Sequence, residues 1–168
     1  MASGTDMAEV YVSVGSNVEP ERQVRSCLRA LRERYGALRV STIYRSKAVG
    51  FTGADFLNLV VQFDTDEEVR QVVSSLHAVE AAHGRHRKGP KFSDRSLDLD
   101  LLLYDDLILA EPGLHLPRDE ITRYAFVLRP LAELTGERRH PILGRTFNEL
   151  WQAMMADAEP MIPVGLQW

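Results

Sequence analysis

Residues 10–104 predict an α+β fold with the element order β-α-β-β-α-β, on three observations. Alternating apolar runs occupy residues 10–14, 38–44, 56–63 and 97–104, the period-two signature of strands. Two intervening segments keep the i, i+3, i+4, i+7 spacing of amphipathic helices. A turn-rich segment at residues 49–55 and a basic loop at 85–95 separate these elements, with no low-complexity linker. The order is that of the ferredoxin-like unit, an antiparallel sheet with both helices on one face and the other face open for function.

Taken in order, the first strand is the β-branched run Val10-Tyr11-Val12-Ser13-Val14, which ends at Gly15-Ser16-Asn17. A helix over residues 20–35 follows, with Val24, Cys27, Leu28, Leu31 and Tyr35 on one stripe. Pro20 suits its first turn, and Gly36 stops it. A second strand covers residues 38–44. The third places Leu57, Leu59, Val61 and Phe63 on one face and Phe56, Asn58, Val60 and Gln62 on the other. Thr65-Asp66-Glu67-Glu68 has the pattern of a capping box, opening a helix striped by Val69, Val72, Val73, Leu76 and Val79 that ends near Gly84. In the last strand of the unit, Leu97, Leu99, Leu101 and Leu103 share a face opposite Asp98 and Asp100. A C-terminal αβ extension holds a turn at Leu116-Pro117-Arg118-Asp119, an amphipathic piece over 124–134 and a helix from Thr146 with Phe147, Leu150, Trp151 and Met154. With no repeat or low-complexity linker, residues 1–168 are expected to form one domain, residues 1–8 being a flexible extension.

Composition narrows the function. A hydrophobic content of 45% with 26% charged residues is that of an ordinary globular protein. The formal net charge of −4 opposes bulk nucleic-acid binding, and no apolar run approaches the ~20 residues that span a bilayer. Neither a nucleic-acid nor a membrane partner is expected. Cys27 is the single cysteine and lies on a helix stripe, as a buried thiol would. That is compatible with a cytoplasmic protein. His77, His83 and His86 lack the spacing of a zinc site.

The chemistry concentrates around Asp98 and Asp100. On a strand their Cα atoms stand about 6.5–7 Å apart on one face, close enough for two carboxylates to converge on one or two hard cations. Mg²⁺ commonly takes one or two carboxylates and fills its other positions with water and phosphate oxygens. Just upstream, Arg85, Arg87, Lys88, Lys91 and Arg95 crowd one loop. An acidic pair abutting a basic loop is what a metal-bridged polyphosphate requires. An RNA-binding module of the same topology would instead present aromatics and a basic face where the acidic pair stands.

Several blocks together resemble 6-hydroxymethyl-7,8-dihydropterin pyrophosphokinases, the diphosphokinases of folate biosynthesis. They are Val14-Gly15-Ser16-Asn17, Tyr44-Arg45-Ser46 with Val49-Gly50, Phe56-Leu57-Asn58, Glu80 with Gly84-Arg85, Arg95-Ser96-Leu97-Asp98-Leu99-Asp100, and Ala125-Phe126-Val127-Leu128 with Pro130-Leu131. The resemblance runs from about Val10 to Trp151 and implies transfer of the β,γ-diphosphate of ATP to the pterin hydroxymethyl oxygen, releasing AMP. It implies that Asp98 and Asp100 hold two Mg²⁺ ions, and that Arg85 and Arg95 are the principal catalytic, phosphate-binding arginines. Arg87, Lys88, Lys91, Glu80 and Arg118 are expected near the nucleotide. Ser46, Val49, Phe56, Asn58, Phe92 and Phe126 are expected around the pterin. Whether Asp100 or a hydroxide on the metal takes the hydroxyl proton stays open.

The chain also departs from the family pattern. Phe92-Ser93-Asp94-Arg95 stands where many members have Trp-Gly-Pro-Arg, and Pro117-Arg118 replaces the usual Pro-His. Tyr124 takes the place of a frequent arginine, and Gly53-Ala54 that of Gln-Pro. These changes bear on nucleotide affinity, rate and the preferred pterin, while the metal and principal arginine positions are intact. A diverged relative that binds pterin or nucleotide without turnover, or that acts on a modified pterin, is the alternative they keep open.

Overall fold

The structure is a computed structural model that describes residues 6–47, 54–84 and 97–168. Strand β1 (Ala8–Ser16) starts two residues earlier than the sequence pattern predicts, because Ala8 is buried and paired with Thr65. Residue 8 therefore belongs to the sheet, not to an N-terminal extension. Helix α1 (Pro20–Tyr35) buries Val24, Cys27, Leu28 and Leu31 against that sheet. Gly36 ends it at φ +82°, a conformation that only glycine adopts without strain.

The expected second strand is two strands, β2 (Arg39–Val40) and β3 (Ile43–Ser46). The break lies at Ser41 and Thr42. The Ser41 hydroxyl accepts from the Val60 N–H at 2.9 Å, taking the place of a carbonyl, and the Thr42 N–H donates to the Glu133 carboxylate. Strand β4 (Phe56–Thr65), helix α2 (Val69–Ala82) and strand β5 (Asp98–Tyr104) complete the unit. The antiparallel order is β5-β1-β4-β3, with β2 also on β4 and a further strand, β8 (Ile162–Val164), on the outer edge of β3.

Two local expectations are corrected. No capping box forms at Thr65, which stays in β4 opposite Ala8. Its hydroxyl accepts from the Glu67 N–H, and Glu68 takes the N-cap position without a side-chain bond. The reciprocal box forms instead between Thr146 and Glu149, opening α4 (Phe147–Met154). Leu103 also leaves the face of Leu97, Leu99 and Leu101. Tyr11 pairs with Leu103 and Val12 with Leu101, so Leu102 is an extra residue and the alternation inverts beyond it.

The far face of the sheet is not open as expected. Helix α3 (Ala125–Thr135) and α4 cover part of it, enclosing Tyr11, Val60, Leu102, Leu103, Val127, Leu128, Leu131 and Phe147 in a second apolar layer. Side chains buried to this degree contribute about 1.5–3 kcal/mol each, which fixes α3 firmly over the sheet. Beyond that cluster the same face turns polar, through Asp98, Asp100, Asn58 and Ser46. Between β5 and α3, strands β6 (Leu109–Glu111) and β7 (Leu114–Leu116) form a hairpin turned by Pro112-Gly113, with Gly113 at φ +77°. The hairpin brings the chain back to β5, where the Arg118 N–H donates to the Leu102 carbonyl at 3.1 Å. No helix among the described residues is long and apolar enough to cross a membrane.

Candidate active site

The register of the sheet aligns the predicted residues. Asp98 pairs with Gly15, Gly15 with Asn58 and Asn58 with Tyr44, so one row crosses four strands; Asp100 lies opposite Ser13 in the next row. At the usual strand separation, Asp98 and Asn58 stand roughly 9–10 Å apart across the sheet. Asn58 is buried and donates its side-chain N–H to Ser46 Oγ at 3.0 Å. Its Oδ1 lies above Gly15: a Cβ there would come within 2.9 Å of that oxygen and 3.9 Å of the Phe56 ring. Gly15 is thus the floor on which the amide and ring rest. In the sequence Gly15 stands within Val14-Gly15-Ser16-Asn17 and shows no separate role. A glycine closing a strand opposite a polar position is the signal that it lets another group approach closely.

Helix α3 reaches the same region. The Arg129 guanidinium lies 4.6 Å from the Tyr44 ring centroid, and the Tyr44 hydroxyl donates to Glu133 at 2.8 Å. Residues 126, 129 and 133 share a helix face. Phe126, one turn before Arg129, packs against the second apolar layer. Phe126 is half-buried and stacks on Tyr124, with ring centroids 5.0 Å apart. The departure at Tyr124 puts a second ring beside the expected pterin-stacking residue.

The acidic pair is an electrostatically costly arrangement. Burial and the neighbouring Asp98 carboxylate push the Asp100 pKa up to about 7, against the pull of the Arg118 guanidinium. The Asp100 side chain keeps 24% of its accessible surface, with Arg118 Nη2 3.2 Å from its Oδ1. Arg118 is also held through Nε, 2.6 Å from Glu120 Oε2. Burial works against its charge, but the Asp100 and Glu120 carboxylates outweigh that and raise its pKa. Two carboxylates close enough to repel each other suit a divalent cation, which would relieve the repulsion. Among the described residues no group of three or more His, Cys, Asp or Glu gathers to hold a metal. The pair alone matches the sparse protein ligation usual for Mg²⁺ with phosphates.

Glu80 is placed differently from a residue that contacts nucleotide at a surface. It is 1% exposed, and its Oε2 accepts from the Leu99 N–H at 2.7 Å. It thereby anchors the residue between Asp98 and Asp100 from the outer edge of β5. Burial of Cys27 itself, with a smaller contribution from the Glu80 charge, pushes that thiol up to about 12, which keeps it inert. Arg85, Arg87, Lys88, Lys91, Phe92, Arg95 and Val49 lie outside the described residues.

Fold and site define a ferredoxin-like α+β protein with paired carboxylates on a sheet face shared with Asn58 and Ser46. A family model for 7,8-dihydro-6-hydroxymethylpterin-pyrophosphokinase (HPPK) matches residues 11–136, and the chain belongs to this family. A pyrophosphokinase is an ATP-dependent diphosphotransferase, so the enzyme class follows from membership. The chain is 36% identical over 159 residues to 2-amino-4-hydroxy-6-hydroxymethyldihydropteridine pyrophosphokinase of Pseudomonas aeruginosa, covering 92% of this chain and 96% of the relative. The enzyme of the same name from Aquifex aeolicus is 31% identical over 145 residues, covering 85% and 90%. Among solved structures, wild-type HPPK-DHPS of Plasmodium falciparum superposes with a TM-score of 0.69 at 11% identity. That match covers 92% of this chain but only 46% of the solved one, and it establishes the shared fold.

Proposed function

We propose that the chain transfers diphosphate from ATP to 6-hydroxymethyl-7,8-dihydropterin in folate biosynthesis, with two Mg²⁺ ions held by Asp98 and Asp100. The hydroxymethyl oxygen forms the new bond to the β-phosphorus, the bond from that phosphorus to the α,β-bridging oxygen breaks, and AMP leaves. The observation that supports this reading is the shared row of Asp98, Gly15 and Asn58, in which Asp98 and Asn58 stand two strands apart on one face. When bound, the metal neutralises phosphate charge and aligns the diphosphate with the attacking oxygen.

The residues of the chain bind and orient. Asn58, steadied by Ser46, offers its Oδ1 to the edge of the pterin, while Phe126 and Phe56 enclose the flat ring together with Val49 and Phe92. Arg85 and Arg95 grip phosphate oxygens bidentately, with Arg87, Lys88, Lys91 and Arg118 adding charge. Glu80 acts by holding β5 in place rather than by touching the nucleotide. One buried thiol suits a chain that works in the cytoplasm.

Thermal unfolding with ligands tests the reading. ATP with Mg²⁺ is expected to raise the melting temperature, by RT ln(1 + [L]/Kd) in free energy, and a chelator to cut that gain to the smaller effect of metal-free nucleotide. RNA is expected to give none. Stabilisation by ATP that is indifferent to chelation would contradict the metal assignment.

A further inference from the structure

The Arg118 guanidinium is the one described cation in contact with the acidic pair, and it is bound at two separate nitrogens. Nε is fixed on Glu120 at 2.6 Å; Nη2 reaches Asp100 at 3.2 Å, a looser contact. The backbone of Arg118 is itself tied to β5 through the Leu102 carbonyl. A rigid fork held at one prong by Glu120 can exchange the partner of its other prong without leaving the site. An ammonium has no such division of labour.

Asp100 is claimed twice. It is a ligand in the metal site proposed above, and in the described structure it is an acceptor for Arg118. Both claims cannot be met in full, since a divalent cation on Asp100 repels the guanidinium. We propose that Arg118 is a shared ligand that couples the two halves of the substrate: in the empty site it neutralises Asp100, and phosphate draws its free prong away, opening Asp100 to the metal. Glu120 is the pivot that keeps the guanidinium in reach of both partners. This deepens the reading above and rests on it.

The coupling has a thermodynamic signature. Nucleotide without metal must break the Arg118–Asp100 pair unaided, and so must metal without nucleotide. Each alone therefore binds more weakly than it would if the pair were absent, while together they share one rupture. Such linkage is reciprocal and commonly amounts to about 5–150-fold in affinity. The usual histidine at this position, when neutral, makes no ion pair with the carboxylate, so the linkage is a property of Arg118.

The experiment is a double-mutant cycle on metal-free nucleotide binding. A non-reacting α,β-methylene analogue of ATP is titrated by calorimetry, in chelator, into the wild type, Asp100→Asn, Arg118→Met and the double variant. Asp100→Asn should tighten binding about 5-fold or more in the wild-type background, by releasing Arg118 to phosphate. In the Arg118→Met background the same change should give little or no gain. Equal gains in both backgrounds would mean that Asp100 merely repels phosphate, and would overturn the proposal, as would no gain in either. In parallel, Mg²⁺ titrated into nucleotide-free Arg118→Met should bind several-fold tighter than to the wild type; weaker or unchanged binding would also overturn it. Should Arg118→Met not fold, Arg118→Gln serves the same cycle. If the wild type does not bind the analogue even with Mg²⁺, it is the nucleotide site itself that fails, a result separate from the four-way comparison.

Discussion

Replacing Asp100 by asparagine is expected to abolish diphosphate transfer and, in metal-free buffer at pH 8, to make the protein more stable. The Asp100 pKa lies at about 7, above the usual carboxylate range, because burial and Asp98 disfavour its charge. The sign follows from proton counts. Between about pH 4 and 7 the folded chain keeps a proton on Asp100 that the unfolded chain has lost, so stability falls as pH rises through that window. Above pH 7 the full penalty stands; below pH 4 there is none. At about 1.4 kcal/mol for each tenfold change in proton affinity, the rise corresponds to ~4 kcal/mol, and the residual 24% exposure of the side chain reduces this to ~2 kcal/mol. Asparagine removes the charge while keeping the shape. The melting temperature should therefore rise by about 4–8 °C at pH 8 and change little at pH 4. Turnover should fall by at least ~10³-fold, since a neutral amide cannot serve as the carboxylate ligand. Circular dichroism melts at the two pH values, beside a product assay, check both halves. Unchanged stability at pH 8 would remove the electrostatic cost from the account, and retained turnover would remove the metal assignment.

The second large effect is expected at Glu80. Its carboxylate accepts from the Leu99 N–H in the interior, on the edge of β5 away from β1. Glu80→Leu leaves that donor unsatisfied, at a cost of about 1–3 kcal/mol, and releases the strand that carries both aspartates. We expect a melting temperature lower by about 3–10 °C and turnover reduced more than tenfold, chiefly in kcat, because misplacing reacting groups by about an ångström is already costly. Glu80→Gln keeps an oxygen able to accept from Leu99 and should restore much of both losses. A direct charge contact with nucleotide predicts otherwise: glutamine would then change the KM for ATP as strongly as leucine does, with little change in stability. Melting curves and steady-state kinetics on the two variants separate these roles.

The same residues show how far the sequence could be read. Alternation and helical spacing located the βαββαβ unit and put Asp98 with Asp100, and Asn58 on its own strand, opposite the apolar face, because a two-residue period is a local property of the chain; that all three share one face follows from the register of the sheet. The extra residue at Leu102 was hidden in an unbroken run of leucines, where any register is equally apolar. The hairpin of β6 and β7 went unread, because its strands are only three residues long and carry almost no periodic signal. The cover provided by α3 and α4 was also beyond local patterns, since pairing between layers is decided by packing across distant residues. At the site, Glu80 has the sequence look of a solvated helix flank. Only the tertiary structure reveals that the outer edge of β5, which pairs with no strand among the described residues, needs an acceptor there. Arg118 was legible as a departure from the family pattern, but its two-pronged hold on Asp100 and Glu120 depends on the return path of the hairpin.

The most direct test of the central claim is nucleotide analysis after mixing the protein with ATP, Mg²⁺ and 6-hydroxymethyl-7,8-dihydropterin. AMP is expected in equal amount with a diphosphorylated pterin, and none of either once Mg²⁺ is chelated. ADP with a monophosphorylated pterin, or no turnover despite Mg²⁺-dependent ATP binding, would contradict the claim.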